Sequence, residues 1–213
     1  MVDGTVEDPP EPAVERLPRG RHGLTREQVE LDQRIRMLAA MADVMSRKGY
    51  VGTTVADVIK GAGVSRETFY QQFSSKLDCF TAAFDAAALI LSEQVQADPR
   101  PDLDPVDRFD AMFARYLESL AAEAGYARLF LVEVYAAGPE AMRRRAELQS
   151  RIVDTVAEVL QIRDDAGRFA CEMLVASISS MVTGPIVEGD LDALRALRAP
   201  VVEVVRRAFG PRP

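Results

Sequence analysis

Residues 65–76, SRETFYQQFSSK, put hydroxyls, a guanidinium, a carboxylate, a phenol, two carboxamides and an ammonium within a few turns of chain. These groups suit the grooves of a DNA duplex. A guanidinium at Arg66 can give paired hydrogen bonds to guanine O6 and N7, and a carboxamide at Gln71 or Gln72 can match adenine N6 and N7. Thr68 can touch a thymine methyl or a phosphate. Tyr70 and Lys76 can bond phosphate oxygens, which fixes register without reading sequence. Glu67 can accept from cytosine N4, pair with Arg66, or repel the backbone. Thr54 and Ser65, at two helix starts, can direct backbone N–H groups at phosphates. Each of these residues alone is an ordinary solvated helix position, so the weight falls on what holds them together.

Two short helices with a tight turn would do so. In TTVADVIKGAGVS, Thr54 is a helix N-cap with Asp57 three residues on, and Gly61 closes barely two turns of helix. Ser65 caps the next helix, which runs to about Gln72. Val55, Ile59, Ala62, Val64, Phe69 and Phe73 form the inner face, and Ala62 and Gly63 let the helices approach, with a positive φ available to glycine. A helix from Thr25 to about Lys48, stopped by Gly49, offers Leu31, Ile35, Leu38, Ala42 and Met45 at three- and four-residue spacing as its apolar face. A further helix follows Ser74 or Ser75 and stops before Asp98-Pro99.

Charge agrees with a polyanionic partner only when it is divided along the chain. The total is -7 over 213 residues. Residues 1–15 hold five acids and no base, a net of -5; residues 16–76 hold eleven Lys and Arg against six Asp and Glu, a net of +5. The remainder, 77–213, holds fifteen bases against twenty-two acids, a net of -7. One basic segment lies inside an acidic protein. Enzyme readings find little: His22 is the one histidine, no GxxxxGK[ST] loop is present, and no metal-ligand cluster or cofactor motif appears. With Cys79 and Cys171 alone, no disulfide framework arises, and a reducing cytoplasm is expected. No uninterrupted apolar run approaches the roughly 20 residues of a membrane span, and the acidic, Pro-rich start is no secretory signal.

The order Gly49-Tyr50, Thr53-Thr54-Val55, Ile59, Ala62-Gly63-Val64-Ser65, Thr68-Phe69-Tyr70, Phe73 and Lys76-Leu77 resembles the amino-terminal domain of TetR-family (tetracycline-repressor-like) transcriptional regulators. The resemblance implies a ligand-responsive homodimer, usually a repressor, on an inverted-repeat operator. It implies contacts at Thr54, Ser65, Arg66, Thr68, Tyr70 and Lys76. Glu67 stands where a small residue is common, and Lys60 where alanine is frequent.

The expected architecture is all-α. A disordered arm at 1–23 carries Arg16, Arg19 and Arg21; a DNA-binding domain occupies 24–76, and a ligand-binding and dimerisation bundle occupies 77–213. Helices are expected at about 104–123, 126–137, 139–161, 164–184 (closed by Gly184-Pro185), 190–198 and 199–209. Phe84, Met112, Phe113, Tyr116, Phe130 and Met173 are the candidate lining of an apolar or amphipathic effector's cavity, with Glu133 or Tyr116 orienting the ligand; such aromatics also serve as plain core. Phe169, Met173, Ile178, Met181, Val201, Val204, Val205 and Ala208 are the candidate dimer stripes. Arg143, Arg144 and Arg145 read as solvated, with a regulatory anion site as the lesser alternative. The alternatives are an activator of the same family and a helical sensor or scaffold that does not bind DNA.

Overall fold

The computed structural model describes residues 25–96 and 102–210; the arm at 1–23, with Arg16, Arg19, Arg21 and His22, lies outside the described residues. The elements are α1 (Arg26–Gly52), α2 (Val55–Ala62), α3 (Arg66–Gln72), α4 (Lys76–Gln96), α5 (Pro105–Ala122), α6 (Ala124–Leu131), a 3-10 turn (Glu133–Tyr135), α7 (Pro139–Val159), α8 (Asp165–Glu188), α9 (Leu191–Ala196) and α10 (Arg198–Phe209). No strand occurs among the described residues, and the all-α expectation holds.

The starts follow from local chemistry. Thr25 with Gln28 and Thr54 with Asp57 make reciprocal capping boxes. Ser65, Asp104, Asp164 and Asp190 each accept a backbone N–H at the heads of α3, α5, α8 and α9. Gly63, at φ 62° and ψ 39°, ends α2 in the left-handed region. A close approach falls at Gly61, just before the Ala62-Gly63 pair the sequence suggested: a Cβ there would meet Ala40 Cβ at 3.1 Å, so α1 and α2 touch.

Gly49 breaks α1, at φ 67° and ψ 169°, where the helix was expected to stop; a last turn, 50–52, follows the break. The inward face of α1 differs from the expected one. Met37, Ala40, Met41, Val44 and Met45 are buried with Ala42, while Leu31 and Ile35 stay 58% and 56% exposed, on a side of the early turns that no neighbouring element among the described residues covers. α8 does not end at Gly184-Pro185. It continues to Glu188 and is capped by Gly189 in the left-handed region. Glycine before proline removes the Cβ that would clash with the proline ring, so the helix passes through.

One apolar core runs from Met37, Val58, Phe69 and Phe73 through Phe80 and Phe84 to Phe109, Leu129, Val182 and Val205. α1 packs on α2, α4 and α6, whereas α5 lies against α4, α7 and α10, and α7 pairs with α8. α8 is also long and apolar enough, by length and composition alone, to cross a membrane. The run-based count missed it because Ser, Thr, Gly and Cys interrupt its apolar residues.

Candidate nucleic-acid interface and adjoining cavity

Phe69 and Phe73 are buried and in ring contact, with centroids 5.6 Å apart, which anchors α3 by one face. The opposite face carries Arg66, Glu67, Tyr70 and Gln71, all exposed, with Thr68 half-buried beside them. Arg66 lies over the Tyr70 ring at 5.5 Å, and Gln71 donates to Glu67 at 3.4 Å. Ser65 and Thr68 share a 2.9 Å hydrogen bond, and Ser65 also accepts the Thr68 N–H. Thr54, exposed at the head of α2, donates to Asp57 Oδ2 at 2.8 Å and accepts the Asp57 N–H.

Two of the expected contact residues have internal duties as well. Gln72 donates to the Glu30 carbonyl at 2.8 Å, and Arg34 lies over the Phe73 ring at 4.5 Å, so α3 is tied to α1 at both points. Lys76 donates to the carbonyls of Tyr50 and Thr53 at 2.9 and 3.0 Å and sits 4.1 Å above the Tyr50 ring. Two of its three protons therefore close the end of α1, and one is left for an outside acceptor.

The basic surplus of this region is largely used internally. Arg36 donates to the Ala62 carbonyl at 2.5 Å and pairs with Asp32; Lys48 pairs with Asp57, and Arg47 with Asp43. Among the described residues of the segment, Lys60 and Arg66 are exposed cations without an ion pair. Sequence reasoning recorded Lys60 only as a departure from alanine. Its exposure near the α2–α3 turn was the usable signal.

Beyond the three-helix unit lies a cavity of about 550 Å³, bounded by α4, α5, α7 and α8. Met112, Phe113 and Tyr116 line it, together with Phe109, Leu148, Ile152 and Val175. Ile178, expected at a dimer surface, faces this cavity instead. Phe84 is core, in edge contact with Phe130 at 5.9 Å, and Phe130 borders only a small void. Met173 is 52% exposed on the outside of α8. Glu133 is buried away from the cavity: it accepts the Tyr50 N–H at 2.7 Å, and Arg128 approaches at 3.7 Å. It joins the 3-10 turn to the break in α1.

Of the expected dimer stripes, Phe169, Met173, Met181, Val204 and Ala208 are exposed. Val201 and Val205 are buried against α5 within the monomer, and Val187, exposed on α8, was missed. Arg145 is not simply solvated, since its guanidinium bonds Phe130 O, Gln149 and Ser179.

Residues 37–83, from the middle of α1 through α2 and α3 into α4, match the model described as bacterial regulatory proteins, tetR family. That stretch carries the tetR-family amino-terminal domain. Solved structures share the fold. A tetR-family regulatory protein from Rhodococcus RHA1 superposes with a TM-score of 0.67 at 20% identity, over 85% of this chain and 98% of that one. The fatty acid degradation regulator FadR from Bacillus halodurans gives 0.71 at 20% identity, over 81% and 94%. FadR from Bacillus subtilis, solved in complex with stearoyl-CoA, gives 0.71 at 18% identity, over 84% and 99%. No curated protein matches the chain in sequence. The chain therefore carries a tetR-type helix-turn-helix domain at 37–83 and shares the all-α fold of these structures.

Proposed function

We propose that this protein is a cytoplasmic homodimeric repressor that binds an inverted-repeat operator and is released by a small apolar or amphipathic effector. Residues 24–76 are then the DNA-binding domain and 77–213 the effector and dimerisation domain. The observation that carries the reading is the two-sidedness of α3: Phe69 locks one face into the core while Arg66, Tyr70 and Gln71 stand in solvent on the other. Thr54, Ser65, Thr68 and Glu67 border that face, and Gln72 and Lys76 hold its tilt while keeping donors near the backbone. In a two-fold dimer the reading helices lie one duplex turn apart, about 34–36 Å, in successive major grooves. The cavity is of effector size, and a neighbour of the same fold was solved with stearoyl-CoA.

Mapping the DNA bound in cells gives the operator, and titration of that operator against salt tests the reading. Affinity should fall steeply, with a log–log slope of about -0.9 per phosphate neutralised. Arg66→Ala should relax choice at one base pair and cost about 1–3 kcal/mol, whereas Tyr70→Ala should weaken all sequences alike. A flat salt response, or an Arg66→Ala protein with affinity and choice unchanged, removes α3 as the reader.

A further inference from the structure

Arg144 and Arg151 line the cavity, and Arg145 stands behind its wall, bonded to two lining residues. Arg145 is half-buried, and its three hydrogen bonds go to neutral oxygens: the Phe130 carbonyl at 3.2 Å, Gln149 Oε1 at 2.8 Å and Ser179 Oγ at 3.1 Å. The Tyr135 ring lies 5.1 Å from its guanidinium. Among the described residues no carboxylate pairs with it. A guanidinium withdrawn from water and met only by dipoles keeps an uncompensated field.

Gln149 and Ser179 also line the cavity. Because Arg145 occupies an acceptor atom on each, what these side chains can offer the cavity is the carboxamide N–H groups and the hydroxyl proton. Tyr116, from α5, lines the same cavity. Burial pushes its phenol well above the ordinary value, with the Arg145 charge pulling the other way, so at neutral pH it is an O–H donor. That hydroxyl makes no hydrogen bond to the described residues. The one carboxylate of the lining, Asp85, lies on the exposed rim and is paired with Arg144 at 3.5 Å.

We propose that the cavity takes a carboxylate-bearing apolar molecule, its carboxylate received by Tyr116, Gln149 and Ser179 in front of Arg145. This rests on the reading of the cavity as the effector site. Phe109, Met112, Phe113, Leu148, Ile152 and Ile178 cover the apolar part, and about 550 Å³ falls within the range of about 300–1,000 Å³ usual for small-molecule pockets. A cationic head would meet the Arg145 field, and a neutral hydroxyl would leave that field unanswered.

The test is calorimetric titration of the full chain, without DNA, by decanoate, 1-decanol and decylamine. Decanoate should bind about tenfold or more tighter than decanol, since hydrogen bonds to a charged group outweigh neutral ones, and decylamine should bind weakest. Tyr116→Phe, which removes one oxygen, should weaken decanoate far more than decanol and so lose most of that preference, and Arg145→Gln should do the same. Should Arg145→Gln fail to fold, Ser179→Ala replaces it. Decanol equal to or tighter than decanoate overturns the proposal, as does equal weakening of both ligands by Tyr116→Phe, or binding by none of the three. With no DNA in the cell, a failure at the operator leaves this result untouched, and equal affinity for acid and alcohol leaves the regulator reading untouched.

Discussion

Asp57 shows how far a single side chain could be read in advance. Its pairing with Thr54 spans three residues, and capping is a local rule, so the sequence revealed it. Its stronger partner did not show: the Lys48 ammonium, at 2.6 Å, is the chief cause that holds the carboxyl down at about 2, ahead of the Thr54 hydroxyl and N–H. Because the folded value lies below the ordinary 3.8, the pair stabilises the fold at any pH above about 4. That contribution is lost as pH falls towards 2. Urea midpoints measured across that window should drop less steeply in Asp57→Asn than in the parent; parallel slopes would show that the pair carries no linkage. The same distance rule explains Lys76 and Gln72, whose solvent-facing chemistry was legible and whose internal acceptors, 23 to 42 residues away in sequence, were not. At Cys79, burial pushes the thiol up to about 12, so it should stay unlabelled by iodoacetamide at pH 8 in the native protein and react once unfolded.

The end of α1 is joined to the start of α4 and to the 3-10 turn. Gly49 gives α1 its positive φ, and a Cβ there would sit 3.3 Å from Glu133 Oε2, so the break and the carboxylate need each other. Glu133 holds the Tyr50 N–H, while Lys76, at the start of α4, holds the Tyr50 carbonyl. Tyr50 thus links the 3-10 turn to the helix that both follows the reading unit and lines the cavity. Glu133→Ala should cost about 1.5–3 kcal/mol, the worth of a hydrogen bond to a charged group, visible as a lower Tm. It should also shrink the loss of operator affinity that an effector causes, whereas Glu133→Gln should keep more of both. An unaltered effector response in a destabilised Glu133→Ala protein would confine the contact to stability. Helix number and starts were legible here because caps and glycines are local. Glu133 read as a pocket group because a lone carboxylate in an apolar stretch shows burial without naming its partner. Leu31 and Ile35 failed for the converse reason: periodicity identifies an apolar face, and only the neighbouring elements decide whether anything covers it.

At the scale of the whole molecule, an apolar surface on α8 and α10 is left uncovered by the described residues. Phe169, Met173, Met181 and Val187 on α8, with Val204 and Ala208 on α10, stay exposed, whereas Ile178, Val201 and Val205 from the same expected stripes turn inward. The sequence could not divide the two sets, since both faces of these helices are apolar and a single chain's pattern is silent on which face meets a second copy. An exposed patch of this kind is costly to leave in water, and a two-fold pairing of α8 and α10 would bury it in a four-helix interface. A charge at its middle should then separate the subunits: Met181→Asp should sediment as a monomer at micromolar concentration where the parent sediments as a dimer. Since Met181 lies on the surface of the monomer, its helicity and Tm should change little apart from the part of Tm that depends on protein concentration. The monomer keeps one reading helix of two, so its salt dependence at the operator should fall to about half the parent slope, because half the phosphate contacts remain. A Met181→Asp protein that still sedimented as a dimer would move the interface off α8 and leave its exposed phenylalanine and methionines to some other partner.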